Sequence, residues 1–275
     1  MPTSSEVLRV EREGHLATLW LDNPERRNAM GPPFWDGLPK LMRELSDDPD
    51  VRAIVIAGRG RDFTIGLDLK AFGPAFVGGG DGKTSEAARR TAALAAVKRM
   101  QGSITSVADC PKPVIAAVQG YCLGGGVDLI TACDVRLAAA DAVFAVRETR
   151  IAIVADVGTL QRLPGIVTAG HVAELVFTGK DIPAARAREI GLVNDVLPDA
   201  DATRAAARAM AAEIAANSPL AVQGAKAVLR ACKGRSVAEG LDYVALWNSA
   251  FLPSDDLREA LTAFVEKRPP RFTGE

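Results

Sequence analysis

Short apolar runs alternate with amphipathic segments along the first two thirds of the chain. Alternating residues on both sides of a Glu-Gly turn predict a β-hairpin over 7–21, and a helix is predicted over 33–45. The run VRAIVIAG (51–58) predicts a buried strand, because its apolar residues are nearly continuous. The strand is expected to end at the glycine. A glycine-rich segment over 78–85, predicted to be mobile, leads into a helix that ends near Met100. The order then repeats, with the strand PVIAAVQG, a glycine run, the helix GGVDLITACD and the strands VRLAAA and VFAV. This alternation is typical of an α/β fold with a parallel sheet.

The last third of the chain, from about residue 169, is predicted to be almost continuous amphipathic helix. Only LVNDVLP interrupts it with a strand-like run. The helical segments are HVAELVFTG, IPAARAREIG, ADATRAAARAMAAEIAAN, PLAVQGAKAVLRAC and DDLREALTAFVEKR. We place a domain boundary near residue 200, which gives a core over 1–200 and a helical region over 201–275. So long a helical tail is expected to cap the core and to form an oligomer interface.

The composition argues against partners that are held mainly by charge. The 275 residues carry a formal net charge of −1, with 48% hydrophobic and 24% charged residues, as in ordinary soluble enzymes. A chain of this charge is not expected to bind nucleic acid or a membrane surface. The four cysteines form no CxxC pair and there are two histidines, so a zinc site has few candidate ligands. No metal is therefore expected.

The expected location is cytoplasmic. The N-terminal residues MPTSSEVLRVEREG include no apolar stretch of the kind found in secretory signals. No run approaches the ~18 apolar residues of a membrane span. The chain ends in Thr-Gly-Glu and not in a peroxisomal Ser-Lys-Leu.

Three carboxylates lie in segments that are otherwise apolar. Asp128 closes the run GYCLGGGVD, Glu148 ends FAVRE, and Asp156 lies within IAIVADVGTLQRLP. Burying a carboxylate is costly because desolvation disfavours the charged form, and that cost is usually tolerated where a proton is transferred. The backbone N–H groups of the neighbouring glycine run are suited to hold an oxyanion. Together these features indicate proton transfer next to a carbonyl group.

Several motifs together carry a family resemblance. NPERRNAM, RDFTIGLDLK, KPVIAAVQGYCLGGGVDLITACDVRLAAADAVFAVRE and GTLQRLP resemble the enoyl-CoA hydratase/isomerase (crotonase) superfamily over about residues 7–268. The resemblance implies an α/β spiral of ββα units over 1–200, a helical C-terminal region over 201–275 that packs into trimers or dimers of trimers, and acyl-CoA thioester substrates of fatty-acid β-oxidation. No cofactor is implied, since CoA is part of the substrate.

Within the superfamily the acids resemble those of Δ3,5-Δ2,4-dienoyl-CoA isomerases, which have Asp, Glu and Asp at the positions of Asp128, Glu148 and Asp156. Typical hydratases have Glu and Gly at the first and third of these positions. The resemblance implies that Glu148 removes the C2 proton, Asp156 protonates C6 and Asp128 supports them, although the reverse roles for Glu148 and Asp156 stay open. It places the oxyanion-hole donors at the N–H groups of Leu67 and Gly125.

The same resemblance suggests residues that bind the substrate or its CoA. Arg26 and Arg27 would suit CoA phosphates or the adenine, and Lys267, with Arg268, would reach CoA bound to a neighbouring subunit. The full set of binding candidates is Arg26, Arg27, Gly66, Asp68, Leu69, Gly126 and Lys267.

Each candidate also has a purely structural interpretation. Asp128 would cap a helix or hydrogen-bond near a helix start, and Asp156 would serve as an N-cap. Glu148 would pair with Arg147 or Arg150, and the two arginines of NPERRNAM would form a solvated turn. The glycine run does not fit a dinucleotide site, because the GxGxxG spacing and the ribose-binding acid are missing. The rival functions are an enoyl-CoA hydratase and a non-catalytic binding protein of the same fold.

Overall fold

The computed structural model describes residues 4–72 and 85–275. All but the last residue of the segment predicted to be mobile, 78–85, therefore lies outside the described residues. In the described ranges a seven-stranded sheet has the order β1-β2-β3-β4-β5-β7-β10, and a three-stranded sheet has the order β6-β8-β9. The strands are β1 Ser4–Ser5, β2 Leu8–Glu13, β3 Leu16–Leu21, β4 Ala53–Gly58, β5 Val114–Val118, β6 Tyr121–Leu123, β7 Val135–Ala139, β8 Val143–Ala145, β9 Ile182–Pro183 and β10 Asp195–Leu197.

In the large sheet, the predicted hairpin follows the short strand β1, and the strands after the hairpin run parallel. Strands β2 and β3 pair antiparallel, and β3, β4, β5, β7 and β10 then pair parallel in turn. Every residue of β4 and β5 is buried, which explains why these strands read as continuous apolar runs. The prediction of an α/β fold with a parallel sheet is confirmed.

The helices occupy both faces of this sheet and the C-terminal end of the chain. Helices α1 and α2 pack against each other beside the sheet. The helices are α1 Pro32–Asp47, α2 Glu86–Asp109, α3 Gly125–Ala132, α4 Thr159–Arg162, α5 Ala169–Thr178, α6 Ala184–Glu189, α7 Ala200–Ala215, α8 Pro219–Ala231, α9 Val237–Phe251 and α10 Asp255–Glu266, with 3-10 turns at Pro24–Arg26, Glu148–Ile151 and Leu163–Gly165.

Helix α7 covers the second face of the large sheet. Its buried residues Ala207 and Ala211 lie in one apolar cluster with Val55 of β4 and Ile115 of β5. Small side chains allow the helix to approach the sheet closely. The boundary at residue 200 stays a prediction, but the helix that follows it directly is part of the packed core.

Helix α9 lies in the region predicted to be almost continuous helix, but it was not among the helical segments named there. Its apolar residues Val237, Leu241 and Leu246 are 79%, 61% and 70% exposed, so they do not form the single buried stripe on which the prediction relied. A different signal was present at the start of the helix. Ser236 and Glu239 form a reciprocal capping box, which the spacing Ser-x-x-Glu indicates.

Candidate active site

A cavity of about 820 Å³ contains all three carboxylates in its wall. Its lining comes from the loop after β4, from the segment between β6 and α3, from residues 147–157 and from one face of α2. The lining area is predominantly apolar, with a few polar groups, as is usual for sites that bind small molecules.

Two loops approach each other closely at one end of this cavity. Gly66 has φ +81°, and a Cβ there would lie 2.5 Å from the Leu123 carbonyl oxygen and 3.1 Å from the Gly125 nitrogen. A Cβ on Gly125 would in turn lie 3.8 Å from the Leu67 nitrogen. Glycine at position 66 thus allows the N–H groups of Leu67 and Gly125 to come together.

Both N–H groups are free to bind a ligand. In the described ranges, neither the Leu67 N–H nor the Gly125 N–H donates a hydrogen bond to a protein acceptor. Gly125 is also the first residue of α3, where the helix dipole favours negative charge. Two unused donors beside an apolar cavity are the groups that an oxyanion hole requires.

Asp128 is fully buried in the first turn of α3. Its Oδ1 accepts a hydrogen bond of 2.5 Å from the N–H of Thr159, the first residue of α4, as the structural interpretation expected. Its Oδ2 is buried and has no hydrogen-bond partner among the described residues. Burial raises the pKa of Asp128 to about 6, although the Thr159 hydrogen bond and the charge of Arg162 act against that rise. Asp128 does not serve as the N-cap of α3, because that position is Gly124.

Glu148 begins a 3-10 turn after β8. One of its carboxylate oxygens, Oε1, lies 3.4 Å from where a Cβ on Gly124 would be. The other, Oε2, is buried and finds no hydrogen-bond partner in residues 4–72 and 85–275. Burial raises the pKa of Glu148 to about 7, with further contributions from the charges of Asp128 and Asp156. Arg147 pairs with Asp181 at 2.6 Å instead of with Glu148.

Asp156 is half-buried and lies in the same cavity wall. Burial raises the pKa of its carboxyl group, while a hydrogen bond from its own backbone N–H lowers it. The short helix that follows, α4, has Gly158 at its N-cap, so Asp156 does not cap it. The capping interpretation of Asp156 is therefore wrong.

Two of the predicted binding residues, Arg27 and Leu69, line the cavity. Arg27 donates to Asp62 at 2.6 Å, and its guanidinium carbon lies 4.8 Å from the centre of the Tyr121 ring. The Asp62 side chain is only 1% exposed, so a buried carboxylate holds Arg27 in the cavity wall.

The other predicted binding residues lie outside the cavity wall. Asp68 accepts hydrogen bonds from the N–H groups of Lys70 and Ala71 and pairs with Arg26 at 2.8 Å, so it orders its own loop. Gly66 acts by allowing the loop before Leu67 to approach the segment before Gly125.

Gly126 permits close packing, since a Cβ there would lie 2.7 Å from Thr64 Cγ2. Lys267 is exposed at the C-cap of α10. Arg268, which follows it, pairs with Glu259 and Glu266 of its own chain at 2.6 Å.

Sequence reasoning missed several residues of the cavity wall. Trp35, Val97, Met100, Tyr121 and Arg147 all contribute to it. Helical spacing is the only signal that the sequence offered for Val97 and Met100, since residues three apart share a helix face. Nothing in the local sequence indicates Tyr121 or Arg147.

Comparison with known proteins identifies the family. The model of the enoyl-CoA hydratase/isomerase family matches residues 11–275. The chain belongs to this family. Family members of known structure share the fold: an enoyl-CoA hydratase from Bacillus anthracis is 30% identical with a TM-score of 0.88, and covers 98% of this chain and 100% of its own. A second, from Mycobacterium tuberculosis, is 32% identical with a TM-score of 0.84, covering 98% and 99%.

Members with higher sequence identity have a narrower name. A relative from Dictyostelium discoideum, named Delta(3,5)-Delta(2,4)-dienoyl-CoA isomerase, mitochondrial, is 42% identical over 98% of this chain and 92% of its own. The Arabidopsis thaliana relative of the same name, but peroxisomal, is 42% identical over 97% and 96%. The human mitochondrial relative is 42% identical over 96% and 81%.

These names correct one expectation. The cytoplasmic location expected from the sequence is contradicted, because the similar relatives are named mitochondrial or peroxisomal. That expectation rested on the absence of an apolar signal or membrane span, which does not distinguish one aqueous compartment from another.

Among the helices of residues 4–72 and 85–275, none is both long enough and apolar enough to cross a membrane. Within the same ranges, no cluster of three or more His, Cys, Asp or Glu side chains is arranged to hold a metal ion.

Proposed function

We propose that this protein is a Δ3,5-Δ2,4-dienoyl-CoA isomerase, which converts a 3,5-dienoyl-CoA into the conjugated 2,4-dienoyl-CoA. The observation that carries the proposal is the presence of Asp156 in the same cavity as Glu148 and Asp128. The relatives that bear this name at 42% identity support it.

The thioester end of the substrate fits the end of the cavity where the two N–H groups meet. Removal of the C2 proton moves negative charge onto the thioester oxygen. Donors at Leu67 and Gly125 would stabilise that charge, and one such donor is typically worth about 2.7–4 kcal/mol. Because both donors are backbone groups, the Leu67 side chain has no chemical role in this step.

Glu148 is the proposed base at C2. Its carboxylate lies against Gly124, the residue before the Gly125 donor, and C2 is bonded directly to the thioester carbonyl carbon. Burial brings the pKa of Glu148 to about 7, close to neutral pH. A base whose pKa is near the working pH combines a useful ionised fraction with good proton affinity.

Asp156 is the proposed acid at C6. After C2 loses its proton, the electron pair is delocalised through C4 to C6, where a new C–H bond forms with a proton from Asp156. A shift across five carbon atoms is too long for one short carboxylate to serve easily. Glu148 then gives up its proton and Asp156 regains one from solvent, which restores both groups. The raised pKa of Asp156 favours the protonated form that this role requires.

Asp128 is proposed as a supporting carboxylate. It is fully buried, and its charge contributes to the raised pKa of Glu148. Its ionisation state therefore tunes the strength of the base. No cofactor enters this chemistry, and CoA takes part only as the thioester-linked part of the substrate.

We further propose a homo-oligomer, a trimer or a dimer of trimers. The C-terminal helices present large apolar side chains to solvent, among them Leu261, Phe264 and Val265 of α10, which are 61%, 84% and 78% exposed. Such contiguous apolar surface is typical of an interface. In that assembly Lys267, next to this surface, would reach the CoA of a neighbouring subunit.

The decisive experiment is incubation with a 3,5-dienoyl-CoA while the absorbance of the conjugated 2,4-dienoyl product is followed. We expect rapid growth of that absorbance without added metal or cofactor. A parallel assay with a 2-enoyl-CoA tests the hydratase alternative. Hydration that is faster than isomerisation would replace our proposal with that alternative, and no reaction with either substrate would favour a binding protein.

A further inference from the structure

The loop that carries Asp156 is attached to α2 by two side chains of that helix. Gln101 Nε2 donates a hydrogen bond of 2.7 Å to the Asp156 carbonyl oxygen. Four residues further along the helix, Thr105 Oγ1 accepts a hydrogen bond of 2.9 Å from Arg162 NH2. The second terminal nitrogen of the same guanidinium, NH1, donates to the Val157 carbonyl oxygen at 3.3 Å.

The shape of the loop depends on the Arg162 side chain. A Cβ on Gly158 would lie 1.7 Å from Arg162 NH1, so the guanidinium occupies the space that any other residue at position 158 would fill. Gly158 also has φ +135°, which side chains other than glycine rarely adopt. The glycine and the arginine therefore form a matched pair that defines the path of the chain from Asp156 to Thr159.

One face of α2 serves both the cavity and this loop. Val97 and Met100 line the cavity, while Gln101 and Thr105 hold the loop. The spacing places all four on one side of the helix, since residues three or four apart are neighbours on its surface. The wall that contacts the substrate and the support of Asp156 are thus parts of one rigid element.

The Asp156 carboxylate has little else to orient it. It interacts with its own backbone N–H, and none of the hydrogen bonds found in residues 4–72 and 85–275 joins it to another side chain. Its position is therefore set by the backbone of the loop. On the opposite side the loop is held by the Thr159 N–H, which donates to Asp128.

We infer that Gln101, Thr105 and Arg162 are positioning residues that fix the distance of Asp156 from Glu148 and thereby the site of the second proton transfer. This inference rests on the proposed isomerase function. A misplacement of about 1 Å in a reacting group can lower a rate on the order of 100-fold. None of the three residues lines the cavity. Gln101 and Thr105 therefore act through the loop that carries Asp156, while the charge of Arg162 also lowers the pKa of Asp128.

The test compares Gln101→Leu and Thr105→Val with the wild type. The conservative Thr105→Ser keeps the hydroxyl, and Thr91→Val changes the same residue type on the same helix, where the hydroxyl only bonds the Ala87 carbonyl oxygen. For each variant we would measure kcat and KM for the 3,5-dienoyl-CoA, the melting temperature, and exchange of the C2 proton in deuterated water.

We expect Gln101→Leu and Thr105→Val to lower kcat on the order of 10- to 100-fold with little change in KM. Exchange at C2 should continue at close to the wild-type rate, because Glu148 and the oxyanion donors are unaffected. Thr105→Ser should recover most of the turnover, and Thr91→Val should resemble the wild type.

Two results would overturn the inference: wild-type kcat in both Gln101→Leu and Thr105→Val, or an equal loss of exchange and isomerisation, which would mean a general structural role. If the wild-type protein itself does not isomerise the substrate, the proposed function falls and the positioning role falls with it. The wild-type assay therefore separates the two failures.

Discussion

The backbone N–H of Thr159 lies 2.5 Å from Oδ1 of Asp128 and donates a hydrogen bond to it. This bond uses one carboxylate oxygen, and the other, Oδ2, is buried with no hydrogen-bond partner in the part of the chain that the structure describes. A proton on Oδ2 removes the cost of a buried charge, which is why burial raises the pKa of this group to about 6. The protonation state of Asp128 is thus coupled to the loop that also carries Asp156.

Asp156→Asn should abolish isomerase turnover, because an amide cannot supply the proton for C6. We expect kcat to fall by at least about 100-fold, the size of a lost general acid. Binding of the CoA ester and the melting temperature should change little, since the side chain is half-buried and the asparagine oxygen can still accept a hydrogen bond from the residue's own backbone N–H. Near-wild-type turnover would remove the basis of the assignment.

Glu148→Gln should slow exchange of the C2 proton in deuterated water together with isomerisation. The measurement is the deuterium content of recovered substrate by mass spectrometry. Exchange that persists while isomerisation is lost would reverse the roles of Glu148 and Asp156.

Asp128→Asn should change how stability depends on pH. Burial raises the folded-state pKa of Asp128 from 3.8 to about 6, so the folded protein binds this proton more tightly than the unfolded chain does. The stabilisation is fully present below about pH 4 and is lost as the pH rises through about 6. Asparagine does not ionise, so the variant does not lose stability in this way. In the wild type the loss of free energy of unfolding is on the order of 3 kcal/mol.

Urea unfolding of both proteins at pH 4 and pH 8 would measure this difference. The free energy of unfolding should fall more steeply with pH in the wild type. Parallel pH profiles would contradict the expected burial of an ionisable group, and Asp47→Asn, at an exposed carboxylate, is the matched control.

Gly66→Ala should damage both the fold and the oxyanion hole. A residue with φ +81° is strained by a side chain, and the new Cβ would lie 2.5 Å from the Leu123 carbonyl oxygen. We expect a loss of about 1–3 kcal/mol in the free energy of unfolding, together with lower kcat. Gly102→Ala in α2 is the control, because among the described residues no atom beyond its chain neighbours and the backbone of its own helix lies within 4 Å of its Cβ position. That change should stabilise the helix by about 0.5–1 kcal/mol.

Phe264→Asp should lower the native mass. Light scattering of the wild type at micromolar concentration should give a trimer or hexamer, and a charge on the exposed face of α10 should dissociate it. A stable, active wild-type monomer would contradict the proposed assembly and, with it, the role of Lys267.

Much of the core was predictable from the sequence because its patterns are local. The apolar run of β4 and the alternating hairpin before it determine buried strands without reference to the rest of the chain. The glycine run and the three acids were recognisable by residue type and by family resemblance. In contrast, the hydrogen bond from Gln101 to Asp156 joins residues 55 positions apart, and no periodicity indicates such a contact. Tyr121 and Arg147 were missed for the same reason.

The order of the strands in the large sheet follows their order along the chain. Each strand of this sheet is therefore synthesised after the strand that it pairs with, which favours folding during synthesis. The proposed oxyanion donors, at Leu67 and Gly125, come earlier in the chain, whereas Asp156 and the Thr159 N–H follow β8. A partly synthesised chain would hold an anion-binding turn before it has its full set of acids. Proton transfer is thus among the last properties that the nascent protein acquires.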